Sequence, residues 1–167
     1  MSLTIYQATV PALVHSLGAL SKILDKAAAQ CAARKIDPSV LLTYRLAPDM
    51  FPFTRQIQIV TDQAKGLAAR LTGAEVPSWP DTEASFDELK TRIAKAVDYL
   101  QSFKPEQFEG AEAREVVLKT PSAELKFTGA EYAFGFVFSN FYFHAATAYN
   151  ILRHNGIEIG KRDFLGA

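Results

Sequence analysis

Only one cysteine, Cys31, occurs in the 167 residues. No internal disulfide can form, and no thiolate zinc site can be built. A surplus of one charge is also lacking, because 18 Lys and Arg balance 18 Asp and Glu. Nucleic-acid binding draws on excess Lys and Arg to displace phosphate counterions, so DNA and RNA are not expected partners. The start MSLTIYQATV has no basic stretch followed by an apolar one; a secretory signal is not expected, and the chain reads as cytoplasmic. H-E-x-x-H, Walker, G-x-G-x-x-G and G-x-S-x-G patterns are missing as well, which argues against a zincin, a conventional nucleotide enzyme or a serine hydrolase.

One long uncharged run is present. Tyr132 to Leu152 carries no Asp, Glu, Lys or Arg, and about 20 such residues suffice to cross a bilayer. Ser139, Asn140, His144, Thr147 and Asn150 interrupt it, and these groups would stay unpaired in lipid. A helix buried on most sides within a bundle is the expectation, with no membrane partner. With 49% hydrophobic and 22% charged residues at 18.4 kDa, the chain reads as one globular domain over 1–167.

Apolar spacing gives four helices. Leu13, Leu17, Leu20, Leu24, Ala27 and Cys31 form a stripe that predicts helix A near 10–34, with a short lead-in from Thr4 and Pro11 in the first turn. Phe53, Ile57, Val60, Ala64, Leu67 and Leu71 predict helix B over about 50–72, between Pro52 and Gly73. Ser85 and Glu88 have capping-box spacing and open helix C, about 83–103, with Phe86, Leu89, Ile93, Ala96, Leu100 and Phe103 on its stripe. Thr128 and Glu131 repeat that spacing and open helix D, about 129–155, with the stripe Phe134, Phe138, Phe141, Ala145, Ala148 and Leu152. Between C and D the period drops to two, and Val116, Leu118, Leu125 and Phe127 around Pro121-Ser122 predict a hairpin at about 115–127. Residues 35–49, 74–84 and 104–114 are left as linkers. The expected fold class is all-α, a four-helix bundle with a small β-hairpin between the third and fourth helices.

Candidate chemistry gathers on helix D. Asn140 and His144 are one turn apart and share a face with Ala133, Val137, Thr147 and Ile151. Two polar groups in an apolar line need partners. Either His144 is a core-edge histidine bonded to a neighbour, or it serves a ligand or a metal. Gln56 is the best-placed group on helix B to face it, or else a half-exposed glutamine. Asp49 either joins this pocket or supports the start of helix B through the helix dipole. Arg45 reads as a salt-bridge partner of Asp49 or a receptor for an acidic substrate. Arg153 suits the last-turn carbonyls of helix D. His15 and His154 are weaker candidates, and Cys31 reads as an inert core thiol. The aromatic residues around helix D predict core packing plus a dimer contact.

The run FYFHAATAYNILRHNGIEIGKRDFLG, with RLAPDMFPFTRQ upstream, resembles a bacterial domain-of-unknown-function family in the DinB-like superfamily, whose members are taken for metalloenzymes. The resemblance spans essentially the whole chain. It implies a DinB-like four-helix bundle, commonly dimeric, with a long crossover between the second and third helices. It also implies a zinc or nickel centre of three histidines, one on the second helix and two in an H-x-x-x-H on the fourth, and relatives that are thiol-dependent transferases or isomerases. On this sequence His144 matches the second histidine of H-x-x-x-H, Asn140 stands at the first, and helix B has no histidine, Gln56 being its nearest polar candidate. One of three expected ligands is kept, and carboxamides are poor ligands for these metals. The resulting expectation is a homodimeric bundle with a small-molecule pocket at Gln56, Asn140, His144 and Asp49 and a degenerate metal site that holds no cofactor. The alternatives are a divalent zinc or nickel ion with His144 as ligand, a metal- or thiol-dependent transferase with His144 as ligand or base, and a non-catalytic interaction protein.

Overall fold

The first helix starts earlier than its apolar stripe because a capping box fixes it. In the computed structural model, which describes residues 3–119 and 123–167, the Thr4 hydroxyl accepts the Gln7 N–H at 3.2 Å and the Gln7 side chain accepts the Thr4 N–H at 3.1 Å. Helix α1 therefore runs Ile5–Arg34 with Pro11 inside it, not in its first turn. The proline removes one backbone hydrogen bond from a long helix whose buried stripe supports the remainder. Asp37 then caps a short α2 (Pro38–Leu42), accepting the Ser39 N–H at 2.9 Å. Its Leu41 and Leu42 are buried, so the first linker is partly helical, as the Asp-Pro start would allow.

Helix α3 (Phe53–Thr72) is capped by Pro52 at its start and by left-handed Gly73, φ 76°, at its end. Helix α4 (Phe86–Gln101) begins at Ser85, whose hydroxyl accepts the Glu88 N–H at 3.2 Å. Glu88 returns to Ala84 N–H at 2.6 Å, one residue beyond the cap. A 3-10 turn, Pro105–Phe108, follows.

The hairpin forms where the period-two pattern put it. Strands β1 (Glu115–Lys119) and β2 (Glu124–Thr128) are antiparallel, with Val116 opposite Phe127 and Leu118 opposite Leu125. The expected turn at Pro121-Ser122 lies outside the described residues. Val116 is buried, but Leu125 is exposed at the far end of the ladder. At the near end Gly129 is obligatory: a Cβ there would lie 1.8 Å from the Ala111 carbonyl oxygen.

The last long helix departs from expectation in its first turns. Thr128 and Glu131 make their capping box, and hydrogen bonding by Thr128 holds the Glu131 carboxyl below the usual range. Glu131–Val137 then winds as a π-helix before α5 proper, Phe138–His154. The wider turn shifts the inward face by about one residue. Tyr132, Ala133 and Val137 are consequently buried, while Phe134, assigned to the core stripe by spacing, is 44% exposed. From Phe141 onward the expected stripe of Ala145, Ala148 and Leu152 is buried as read.

Helix α3 lies against both α4 and α5, and α4 against α1. A short α6 (Lys161–Leu165) folds back on α1, held by Lys26–Asp163 at 2.5 Å, Arg34 to the Gly156 carbonyl at 2.9 Å, and the His15 ring to the Leu165 carbonyl at 2.8 Å. No helix among the described residues is long and apolar enough to cross a membrane.

The crossover from α3 to α4 is tied down by one arginine. Arg92 is 4% exposed. Its Nε donates to Thr61 at 2.8 Å, Nη1 to the Pro80 carbonyl and Glu83 at 2.9 Å each, and Nη2 to Asp62 at 3.0 Å, while Asp81 is an ion-pair partner of Nη2 at 3.0 Å. Four of these contacts are hydrogen bonds, and the Asp81 contact adds an ion pair. Trp79 of the same crossover lies beneath Lys65 Nζ, 4.4 Å from the ring centre, and Lys95 Nζ, 4.7 Å away.

Candidate functional site

Gln56 lies in the second turn of α3 and His144 near the middle of α5, two helices packed side by side. Gln56 is 1% exposed, so both ends of its amide need partners. Its Nε2 donates to the Phe51 carbonyl at 2.9 Å, and its Oε1 lies 2.6 Å from His144 Nδ1. The Phe51 oxygen can only accept, which fixes the amide orientation. Oε1 therefore faces the imidazole, and Nδ1 must carry the hydrogen. In the neutral ring Nε2 is then the acceptor. His144 is half-buried, and burial together with the nearby Arg55 guanidinium holds its pKa below the usual imidazole range. The pair thus presents a neutral ring with one nitrogen locked and the other able to accept a proton or a hydrogen bond.

One aromatic ring packs on it. Phe143 meets the His144 ring edge-on at 5.1 Å and is 56% exposed. Phe51 is also exposed, with the Arg55 guanidinium 6.0 Å from its centroid. Arg55 pairs with Asp81 of the crossover.

The chain matches, over residues 5–165, the family described as Domain of unknown function (DUF1993). It belongs to that family. The crystal structure of a DinB family member protein from Shewanella denitrificans is similar to it, with 42% sequence identity and a TM-score of 0.89, covering 98% of this chain and 92% of that one. No curated protein matches the chain. The fold of this DUF1993 protein is accordingly the DinB-like bundle expected from its sequence.

The other predicted site residues are distributed unevenly. Asn140, partly buried, turns its Nδ2 back to the Phe136 carbonyl at 2.9 Å on its own helix. Asp49 is exposed in the loop before α3 and does not cap it, since Pro52 holds that position and the first turn has no acidic residue. Arg45 reaches the Met50 carbonyl at 2.5 Å, and no ion pair with Asp49 forms among the described residues. Arg153 and His154 occupy the last turn of α5 as expected, His154 packing on Tyr44. His15 anchors the end of α6. Cys31 is buried, and burial pushes its thiol pKa up, which suits an inert core role. Sequence reasoning missed Arg92 and Trp79. Their signal was available: Arg92 interrupts the apolar stripe of α4 between Leu89 and Ile93, and Trp79 is the only tryptophan.

The donor set can be tested against the metal that the DinB-like resemblance implies. His144 supplies one imidazole, while the amides of Gln56 and Asn140 are already bonded to protein groups. Among the described residues no group of three His, Cys, Asp or Glu is arranged to hold a metal ion. Zinc and nickel sites are built from imidazole, thiolate and carboxylate donors. The residues present do not fit such a centre.

Proposed function

We propose that this DUF1993 protein is a small-molecule-binding bundle in which a direct Gln56–His144 bond stands where a DinB-like metal centre would be. The observation that carries the reading is the 2.6 Å contact between His144 Nδ1 and Gln56 Oε1. It joins the helices that would supply the ligands, and it leaves Nε2 as the recognition atom. A ligand for this site has an aromatic or apolar body to lie against Phe51 and Phe143 and an N–H or O–H to donate to Nε2.

The test is elemental analysis of protein equilibrated with zinc and with nickel, followed by ring-nitrogen NMR. The expected result is no stoichiometric metal and a hydrogen on His144 Nδ1. One metal per chain bound at His144 would overturn the reading. Thiol conjugation that disappears in a folded His144→Ala protein would replace it with the transferase alternative.

A second property is favoured by a separate observation. Phe134, Tyr142 and Phe143 are 44%, 37% and 56% exposed along one long helix, a pattern suited to pairing with a second copy of the chain. Light scattering across a dilution series should give twice the chain mass, and a monomer throughout would remove this part of the proposal.

A further inference from the structure

The crossover that Arg92 fastens also walls a cleft. Trp79, Pro80, Thr82 and Glu83 form one side, and Glu88, Thr91, Arg92 and Lys95 of α4 the other, around about 270 Å³. That is room for a molecule of about ten non-hydrogen atoms. Two of its charges are unavailable to a ligand, since Arg92 is buried and already paired with Asp62, Asp81 and Glu83, and Glu83 is held by Arg92 and by Gln58 at 2.9 Å each. Two others are available. Lys95 and Glu88 are exposed, and neither makes an ion pair among the described residues. Lys95 rests over the Trp79 ring, and Glu88 uses one oxygen on the Ala84 N–H. Glu88 and Lys95 lie seven residues apart on one face of α4, so their backbones are separated by about 10 Å. Thr91 lies between them on the helix, and Trp79 lines the same cleft.

We propose that this cleft binds an elongated zwitterion, a molecule with an ammonium and a carboxylate separated by several methylene groups. The carboxylate meets Lys95, the ammonium meets Glu88, and the methylenes run past Thr91 beside Trp79, whose ring already carries Lys65 and Lys95. Opposite charges at the two ends exclude a simple anion or a simple cation as the preferred ligand. The span between them excludes an α-amino acid, whose charged groups sit on one carbon. The proposal does not depend on the His144 site.

Trp79 is the only tryptophan, so intrinsic fluorescence of the full chain reads this cleft directly. The probe is 6-aminohexanoate, compared with alanine, hexanoate and hexylamine. The expected result is a saturable change in emission with 6-aminohexanoate and binding weaker by about tenfold or more for each comparison compound. Lys95→Gln and Glu88→Gln, both at exposed positions, should each weaken 6-aminohexanoate by a similar factor. Far-UV circular dichroism of the variants confirms that the fold is retained. No saturable change, equal binding of hexanoate or hexylamine, or a loss in only one of the two variants would overturn the proposal.

Discussion

Around Arg92, four hydrogen bonds and an ion pair with Asp81 draw partners from α3 and the crossover; around His144, one ring nitrogen is bonded and the other has no partner among the described residues. The two clusters use roughly opposite faces of the same helix. Thr61 and Asp62 point one way from α3 and Gln56 the other, as a 100° step per residue requires. Both contain a group that sequence patterns rarely bury. The first is charged and complete: its cation raises the cost of removing any one partner, because the remaining charges would be left in a poorly solvated place. The second is neutral and incomplete, which makes it cheaper to disturb and open to something from outside. Completeness, more than burial, separates a group that holds the fold from one that can serve a ligand.

The largest expected effect comes from changing the open cluster into a metal centre. Replacing Gln56→His and Asn140→His together gives three imidazoles at the positions that the DinB-like resemblance indicates. The double variant should take up one zinc per chain, measured by elemental analysis, and the parent should take up none. Failure of the folded variant to bind zinc would mean that these positions do not converge.

Removing the complete cluster comes next. Arg92→Ala should cost about 3 kcal/mol in urea unfolding, since the carboxylates it neutralises are partly solvated and soften the full penalty of a broken buried pair. Arg92→Lys should recover only part of this, because an ammonium has three donors and no planar fork. A loss under about 0.5 kcal/mol would show that the crossover is held by Trp79 and apolar packing instead.

Gln56→Ala should cost less, about 2 kcal/mol, from an unpaired Phe51 carbonyl and a lost bond to a half-buried ring. A double-mutant cycle with His144→Ala should return a coupling of about 1 kcal/mol. Zero coupling would mean that the contact contributes no net stability.

The smallest effect is pH dependence. In the unfolded chain His144 titrates near about 6.5, and in the folded chain lower, because of burial and Arg55. As pH falls between these two values, the unfolded state binds a proton that the folded state does not. Stability from this group is therefore complete above the unfolded value and declines as pH drops through the window. Unfolding near pH 7 and near pH 6 should show a decline that His144→Gln abolishes, and Arg55→Gln should move the ring's NMR titration midpoint upward. An unchanged decline in His144→Gln would assign the effect to other groups.

Much of this was legible beforehand, for definite reasons. The four stripes and three caps at Ser85, Thr128 and Gly73 are local signals, and each helix formed around them. Gln56 and His144 could be paired because each lies beside an apolar stripe on its own helix, so packing of the stripes brings them together. Asn140 lies on the same face, yet its short amide reaches its own backbone first, a competition that spacing does not reveal. The break in the α4 stripe at Arg92 was legible, but its partners were not, because they come from positions 61, 62, 80, 81 and 83. Only the folded crossover brings these to one point. The π-helix was missed because the aromatic run suits either winding.

That wide turn has a consequence for how the chain tolerates change in length. Glu131–Val137 sits between the hairpin anchor at Gly129 and the helix that carries His144, and it takes up one residue more than ordinary winding would need. Losing a single residue there would let the segment tighten into regular α-helix, with the bundle-packed half from Phe141 onward keeping its grip on α3. The rotation would be passed backward, swinging Tyr132 away from Arg70 of α3, whose Nη1 donates to the Tyr132 hydroxyl at 2.9 Å, and lifting the hairpin from its seat. The segment works as a phase adaptor, decoupling the orientation of the hairpin from that of the imidazole, so length variation on one side need not disturb the other.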